Sequence, residues 1–358
     1  MNNRMIFFLL FVIPSYTFSQ TIWKKSDESK ISLSQRQSRD IIPDKYSTVS
    51  LDHSELTKQL TLAPKEFMGF GLRSEYTIEL PMPDGSLEQF VVWQAPVMES
   101  ELASRYPSIK SYKAYQKSNR TIFARFSSGP NGFHGAIKTD EGMVYIDPYS
   151  AGDVHNYMVY YTNDHIDESL KDKTICGTDD SFQQHEPGKA KWGTRRLGDK
   201  MELRKYRLAL ACTGEWGAVR GSVEKALADM VAFVERANIV FETELGLTVV
   251  LIAKNDELIF LDGATDPYTN SNQGLSLVGQ NASVLNVRIG SGSYEIGHAF
   301  SICNDVGGVA AGNICTQGKG AGITCHNSPS ISNGIVLVFN HEVGHQMTAA
   351  HTFNNCPG

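Results

Sequence analysis

The stretch that decides the fold begins Tyr206-Arg-Leu-Ala-Leu-Ala-Cys212. It continues through Ser222-Val-Glu-Lys-Ala-Leu-Ala-Asp-Met-Val-Ala-Phe-Val-Glu-Arg-Ala-Asn-Ile-Val-Phe-Glu-Thr-Glu-Leu-Gly246 and closes on Thr248-Val-Val-Leu-Ile-Ala253. The two outer runs are short and apolar, as buried strands are. Between them an apolar stripe recurs at helical spacing through Val223, Leu227, Met230, Val231, Val234, Phe241 and Leu245, with Ser222 suited to cap its start and Gly246 to stop it. Strand, helix, strand in this order is a βαβ unit, so the second half of the chain is expected to be α/β around a mostly parallel sheet. Nine glycines between Gly290 and Gly322 then mark a loop-rich stretch, interrupted by the strand-like residues 294–301.

Upstream the pattern differs. Residues 165–203 lose apolar periodicity, turn to charges, Gly and Gln, and contain the dibasic pair Arg195-Arg196, as an exposed connector open to processing would. Residues 20–164 read as a mainly β domain. Runs at 76–80 and 89–93 flank a Pro83-Asp84-Gly85 turn, a run at 121–126 precedes Gly129-Pro130-Asn131-Gly132, and runs at 143–146 and 157–161 follow. Residues 1–19 carry Arg4, an apolar run from Met5 to Ile13, the helix breaker Pro14 and the small residue Ser19, the order of a secretory signal. The nine apolar residues fall far short of the ~20 that span a bilayer, so no membrane span is expected. A secreted, extracellular chain meets an oxidising compartment, where its six cysteines can form disulfides. A net charge of −6 argues against nucleic acid as a partner.

The chemistry concentrates near the end, in His341-Glu-Val-Gly-His-Gln-Met-Thr-Ala-Ala-His351, after an apolar run at 335–339 suited to a buried helix. Four residues along a helix place His341 and His345 on one face, where two imidazoles can share one Zn²⁺, and Glu342 is positioned to act as a general base. His351 is too far along for a straight helix, so the helix must stop within a turn of His345 and the chain must double back.

This motif resembles that of the metzincin zinc endopeptidases, His-Glu-x-x-His-x-x-Gly-x-x-His, and within them the secreted reprolysin-like (adamalysin-like) bacterial enzymes. The resemblance covers residues 204–358 and implies a metzincin-like catalytic domain with one Zn²⁺ held by His341, His345 and His351, Glu342 as the general base, and a protein or peptide substrate. It further implies that residues 294–301, with Tyr294, Ile296 and His298, form the edge strand that holds substrate, although a lone histidine such as His298 is more often structural. The first half is then similar to a reprolysin propeptide that acts as an intramolecular inhibitor. Cys176-Gly-Thr-Asp-Asp180 is similar to the Cys-Gly-x-x-Asp core of a metzincin cysteine switch; a disulfide partner is the other reading of Cys176.

Two departures matter. Thr348 stands where the family has its turning glycine, and with seven residues after His351 the chain resembles a C-terminally incomplete enzyme whose lower subdomain is missing. These keep open a homologue that binds zinc or peptide without turnover, and a zincin of another class whose third ligand is acidic. If Cys176 is unpaired, five cysteines leave one partner short. Asp262, Asp266 and Asn270 offer oxygen ligands for Ca²⁺, but the loop lacks the 12-residue calcium pattern and its closing Glu, so a solvated loop is preferred.

Overall fold

The computed structural model describes residues 22–66, 76–166, 174–178, 203–314, 316–326 and 331–351. The segment 1–19, Arg195-Arg196, Cys315 and Cys356 lie outside these residues.

The first half is a nine-stranded antiparallel sheet, in the order β1-β2-β9-β8-β7-β6-β5-β4-β3. Its strands are β1 (Trp23–Lys25), β2 (Ser47–Leu51), β3 (Thr77–Pro81), β4 (Leu87–Gln94), β5 (Lys110–Gln116), β6 (Phe123–Gly129), β7 (Gly132–Thr139), β8 (Gly142–Pro148) and β9 (Asn156–Tyr161). Three short helices accompany them: α1 (Leu33–Gln37), α2 (His53–Thr61) and α3 (Ser100–Arg105). The two quoted turns join β3 to β4 and β6 to β7. One face packs Phe90, Phe126, Phe133, Tyr157 and Trp23 with Leu56 and Leu60 of α2. Because strand residues alternate between faces, Arg125 between Ala124 and Phe126 points to the other side.

The second half is built on β10 (Thr174–Cys176), β11 (Arg204–Cys212), β12 (Leu247–Leu251), β13 (Ile296–Ser301), β14 (Val306–Ala310) and β15 (Gly322–Cys325), with helices α4 (Gly214–Ala218), α5 (Val223–Val240), α6 (Gly274–Ile289) and α7 (Asn333–Gln346). The sheet order is β10-β14-β15-β13-β11-β12. The pairs β12–β11, β11–β13 and β13–β15 are parallel, and β14 runs antiparallel to β15. Strand β11 shows the layering: Leu208, Leu210 and Cys212 enter a core with α5 and α7, whereas Ala209 and Ala211 face a second core with α6. Ser222 caps α5 by accepting from the Lys225 backbone N–H, and Gly246, at φ +65°, ends the π-helical turn Phe241–Leu245 that continues it.

Two expectations are corrected. Residues 294–301 do not make an edge: β13 lies between β11 and β15, and Tyr294, Ile296 and His298 are buried. The five strands contributed by residues 204–325 have their edges at the glycine-containing β14 and at β12. Alternating apolar residues identify a strand, but its place in the sheet is set by connections. Cys212 is a free thiol buried in the core with its pKa pushed up by burial to about 12. Cys303 pairs with Cys325, so the count that left one cysteine without a partner does not hold.

The halves share surfaces. Met98 bridges Leu251 on the outer edge of β12, where the Leu251 N–H donates to Val97 and the Glu99 N–H donates to Leu251. Helix α5 crosses the free face of the nine-stranded sheet, with Ile239 packed among Ala136, Tyr145, Met158 and Tyr160.

Candidate metal centre and cleft

Helix α7 is formed by the apolar run seen in the sequence, with Ile335, Val336, Val338, Phe339 and Val343 buried, and Ser332 caps it by accepting from the Ile335 N–H. It ends at Gln346, and the reversal falls on Thr348, which adopts φ +74°. A β-branched residue in that region costs on the order of 1–3 kcal/mol. The turn nevertheless closes: the Thr348 N–H donates to the His345 carbonyl at 2.8 Å and the Ala349 N–H to Gly344 at 3.0 Å. Thr348 itself therefore does what a glycine would do, without help from Ala349 or Ala350 at positive φ.

The reversal brings His351 back to the helix. His345 Nε2 lies 3.0 Å from His341 Nε2, 3.2 Å from His351 Nε2 and 3.5 Å from Cys176 Sγ. All four ligand atoms fall within 4.8 Å of one another. Zn–N bonds near 2.05 Å and a Zn–S bond near 2.3 Å in a tetrahedron require edges of about 3.3 Å for N···N and about 3.6 Å for N···S, which the three distances from His345 approach. His345 Nδ1 lies 2.7 Å from the Ala349 carbonyl, an acceptor only, so Nδ1 carries the proton and Nε2 offers its lone pair. The donor set and its spacing fit a zinc ion.

Glu342 is buried beside this cluster, and its Oε2 accepts from Thr178 Oγ1 at 3.1 Å. Burial, with Cys176 next in importance, pushes its carboxyl up to about 9; a cation held by the histidines would act in the opposite sense. Gly308 of β14 is required here, because a Cβ at that position would stand 2.6 Å from Glu342 Cγ and 2.7 Å from Val338 Cγ1.

Cys176 reaches the cluster because β10 adds to the exposed edge of β14 in parallel, pairing Thr174 with Val306 and Cys176 with Gly308. The Gly177 N–H donates to Gly308 at 2.8 Å, the Ala310 N–H donates to Thr178 Oγ1 at 2.9 Å, and the Thr178 N–H donates to Cys176 Sγ at 3.3 Å. Among the described residues Cys176 is a free thiol, so the disulfide reading of it is not what the structure shows.

The other named residues lie elsewhere. His298 is buried behind α7, with Nδ1 3.1 Å from Gln346 Oε1 and Nε2 2.8 Å from Thr324 Oγ1, and burial lowers its pKa to about 4. Gln346 also donates to Gly297 and ties the end of α7 to the sheet, although nothing in the motif marks it. Asp262 accepts from the Ala264 N–H, and Asp266 accepts from those of Tyr268 and Gly214. These carboxylates serve backbone N–H groups of the loop and of the start of α4.

Residues 227–352 match the model of the metallo-peptidase family M12B, reprolysin-like. The chain carries a reprolysin-like metallopeptidase domain. This metallopeptidase domain holds the three clustered histidines, Glu342 and the β14 edge within the matched residues, while Cys176 and Thr178 come from outside them. Among solved structures the chain is similar to metalloproteinase-II from Bacteroides fragilis, at 12% identity and a TM-score of 0.47 over 84% of this chain and 86% of that one. A search of curated proteins finds no match. No helix among the described residues is long and apolar enough to cross a membrane.

Proposed function

We propose that this metallopeptidase is a secreted zinc endopeptidase made as a latent zymogen, with residues 174–178 as its inhibitor. The observation that carries this reading is the convergence of three imidazoles and the Cys176 sulfur at tetrahedral spacing beside Glu342. His341, His345 and His351 would hold the ion. When bound it supplies Lewis-acid polarisation of a carbonyl and acidifies water.

The rest is done by the chain. In the latent form Cys176 would supply a fourth ligand beside the three histidines, Thr178 holds Glu342, and β10 covers the strand edge. Once they leave, an extended peptide takes the place of β10 on β14 through main-chain hydrogen bonds, which tolerate many sequences. Glu342, freed from Thr178 and shielded from solvent, takes the proton of the attacking water and returns it to the leaving amine. The signal-like segment 1–19 and the Cys303–Cys325 bridge support export.

Hydrolysis of a quenched peptide by the cleaved protein, with and without a chelator, tests the assignment. Glu342→Gln should keep its zinc content and lose activity by on the order of 100-fold or more; a folded variant of unchanged activity rejects Glu342 as the base.

A further inference from the structure

Two attachments join the first half of the chain to the metallopeptidase domain, and they lie at opposite edges of the six-stranded sheet. One is the short strand β10 in the cleft. The other is broad: residues 97–99 cover the edge of β12, and the nine-stranded sheet lies against α5. Thirteen of the 18 residues of α5 are buried, the pattern of an interior helix.

Neighbouring α5 residues of opposite charge anchor this second contact. Glu235 accepts from Arg125 Nε at 2.7 Å, Arg236 pairs with Asp147, and all four side chains are at most 2% exposed. Glu242 also pairs with Arg125, at 2.8 Å. Consecutive helix positions do not face each other, so Glu235 and Arg236 cannot neutralise one another if the sheet departs. Separation would leave buried-type charges unpaired on both bodies, together with an open β12 edge.

We infer that residues 22–166 stay docked after the connector is cut within 179–202, and that such a cut by itself does not activate the enzyme. Cys176 remains tethered to the docked sheet through residues 167–173, and a short tether gives the strand an effective concentration on the order of millimolar at the cleft. Opening the cleft requires a second cut, within 167–173. The working peptidase is then a two-chain complex that has lost a strand but kept its β domain. This rests on the reading of β10 as the inhibitor.

The test uses the full chain with two orthogonal site-specific protease sequences, one inserted within 185–195 and one within 168–172. After the first cut alone, both fragments should co-elute on size exclusion at about micromolar concentration, with peptide hydrolysis still at the uncut level. After both cuts, hydrolysis should rise at least tenfold while the β domain still co-elutes. Separation of the fragments, or full activity after the first cut, overturns the inference. Co-elution without hydrolysis after both cuts, in zinc-loaded protein, supports the docking and instead rejects the peptidase reading. Arg125→Ala should weaken the doubly cut complex by on the order of 100-fold or more, whereas Arg105→Ala, which removes an exposed pair with Asp256, should leave it together. Unchanged retention in Arg125→Ala overturns the ionic anchoring.

Discussion

The contact of β10 with the cleft and the contact of the β domain with α5 are made by the same half of the chain, yet they rest on different physics. In the cleft, a three-residue strand is held by a few main-chain hydrogen bonds, and the specific element is one sulfur among three imidazoles. At α5, apolar packing surrounds two buried ion pairs. On the proposed reading, the contact that has to open rests on few hydrogen bonds and one sulfur beside the histidines. A platform that must persist is built from area and from charges too costly to strand.

The largest effect is expected on the platform. Arg236→Ala leaves the Asp147 carboxylate buried with its guanidinium partner gone, and should lower unfolding stability by about 3–5 kcal/mol in a urea titration; a change below about 1 kcal/mol would mean that the pair is dispensable.

Acid probes the same pair. Burial alone would raise the Asp147 pKa, but Arg236, with hydrogen bonds from His134 and Tyr160, holds it at about 2 against an ordinary value of 3.8. Since the folded value is the lower one, this stabilisation is present above about pH 4 and is lost as pH falls toward 2, by about 2 kcal/mol. Comparing urea midpoints of the natural chain and Asp147→Asn across that range isolates the contribution, and parallel curves would reject it.

On the latch, Cys176→Ser should leave stability almost untouched while raising peptide hydrolysis by the uncut chain at least about tenfold, because a hydroxyl is a poor substitute for a thiolate on zinc. Unaltered latency would assign inhibition to strand pairing alone. The smallest effect is expected at the turn: Thr348→Gly should raise the melting temperature by a few degrees, equivalent to about 1 kcal/mol. A drop would mean that the threonine makes contacts worth more than its strain.

Much of the site was legible because its chemistry is local. His341, Glu342 and His345 follow from a four-residue spacing, and the need for a reversal before His351 follows from helix geometry. Thr348 stood out because its place demands a conformation that side chains resist, and it adopts that conformation. Helix α6, by contrast, has no capping side chain to mark its start, although Leu277, Val278, Asn281, Val284 and Leu285 recur at helical spacing and are buried. Strands β14 and β15 were hidden among glycines, present at Gly308 because Glu342 and Val338 press against the backbone.

What the sequence by itself determined is what depends on near neighbours along the chain: the βαβ unit, the helix caps, the metal-binding spacing and the alternating strands of the first half. Only the tertiary structure decided which strand is the edge, that Cys176 meets the histidines while Cys212 sits in the core, and that Arg125 and Asp147 answer Glu235 and Arg236. Those pairings join residues more than 80 positions apart. Local propensity does not encode them; they follow from how the sheets stack and from the cost of leaving a charge or a strand edge without a partner.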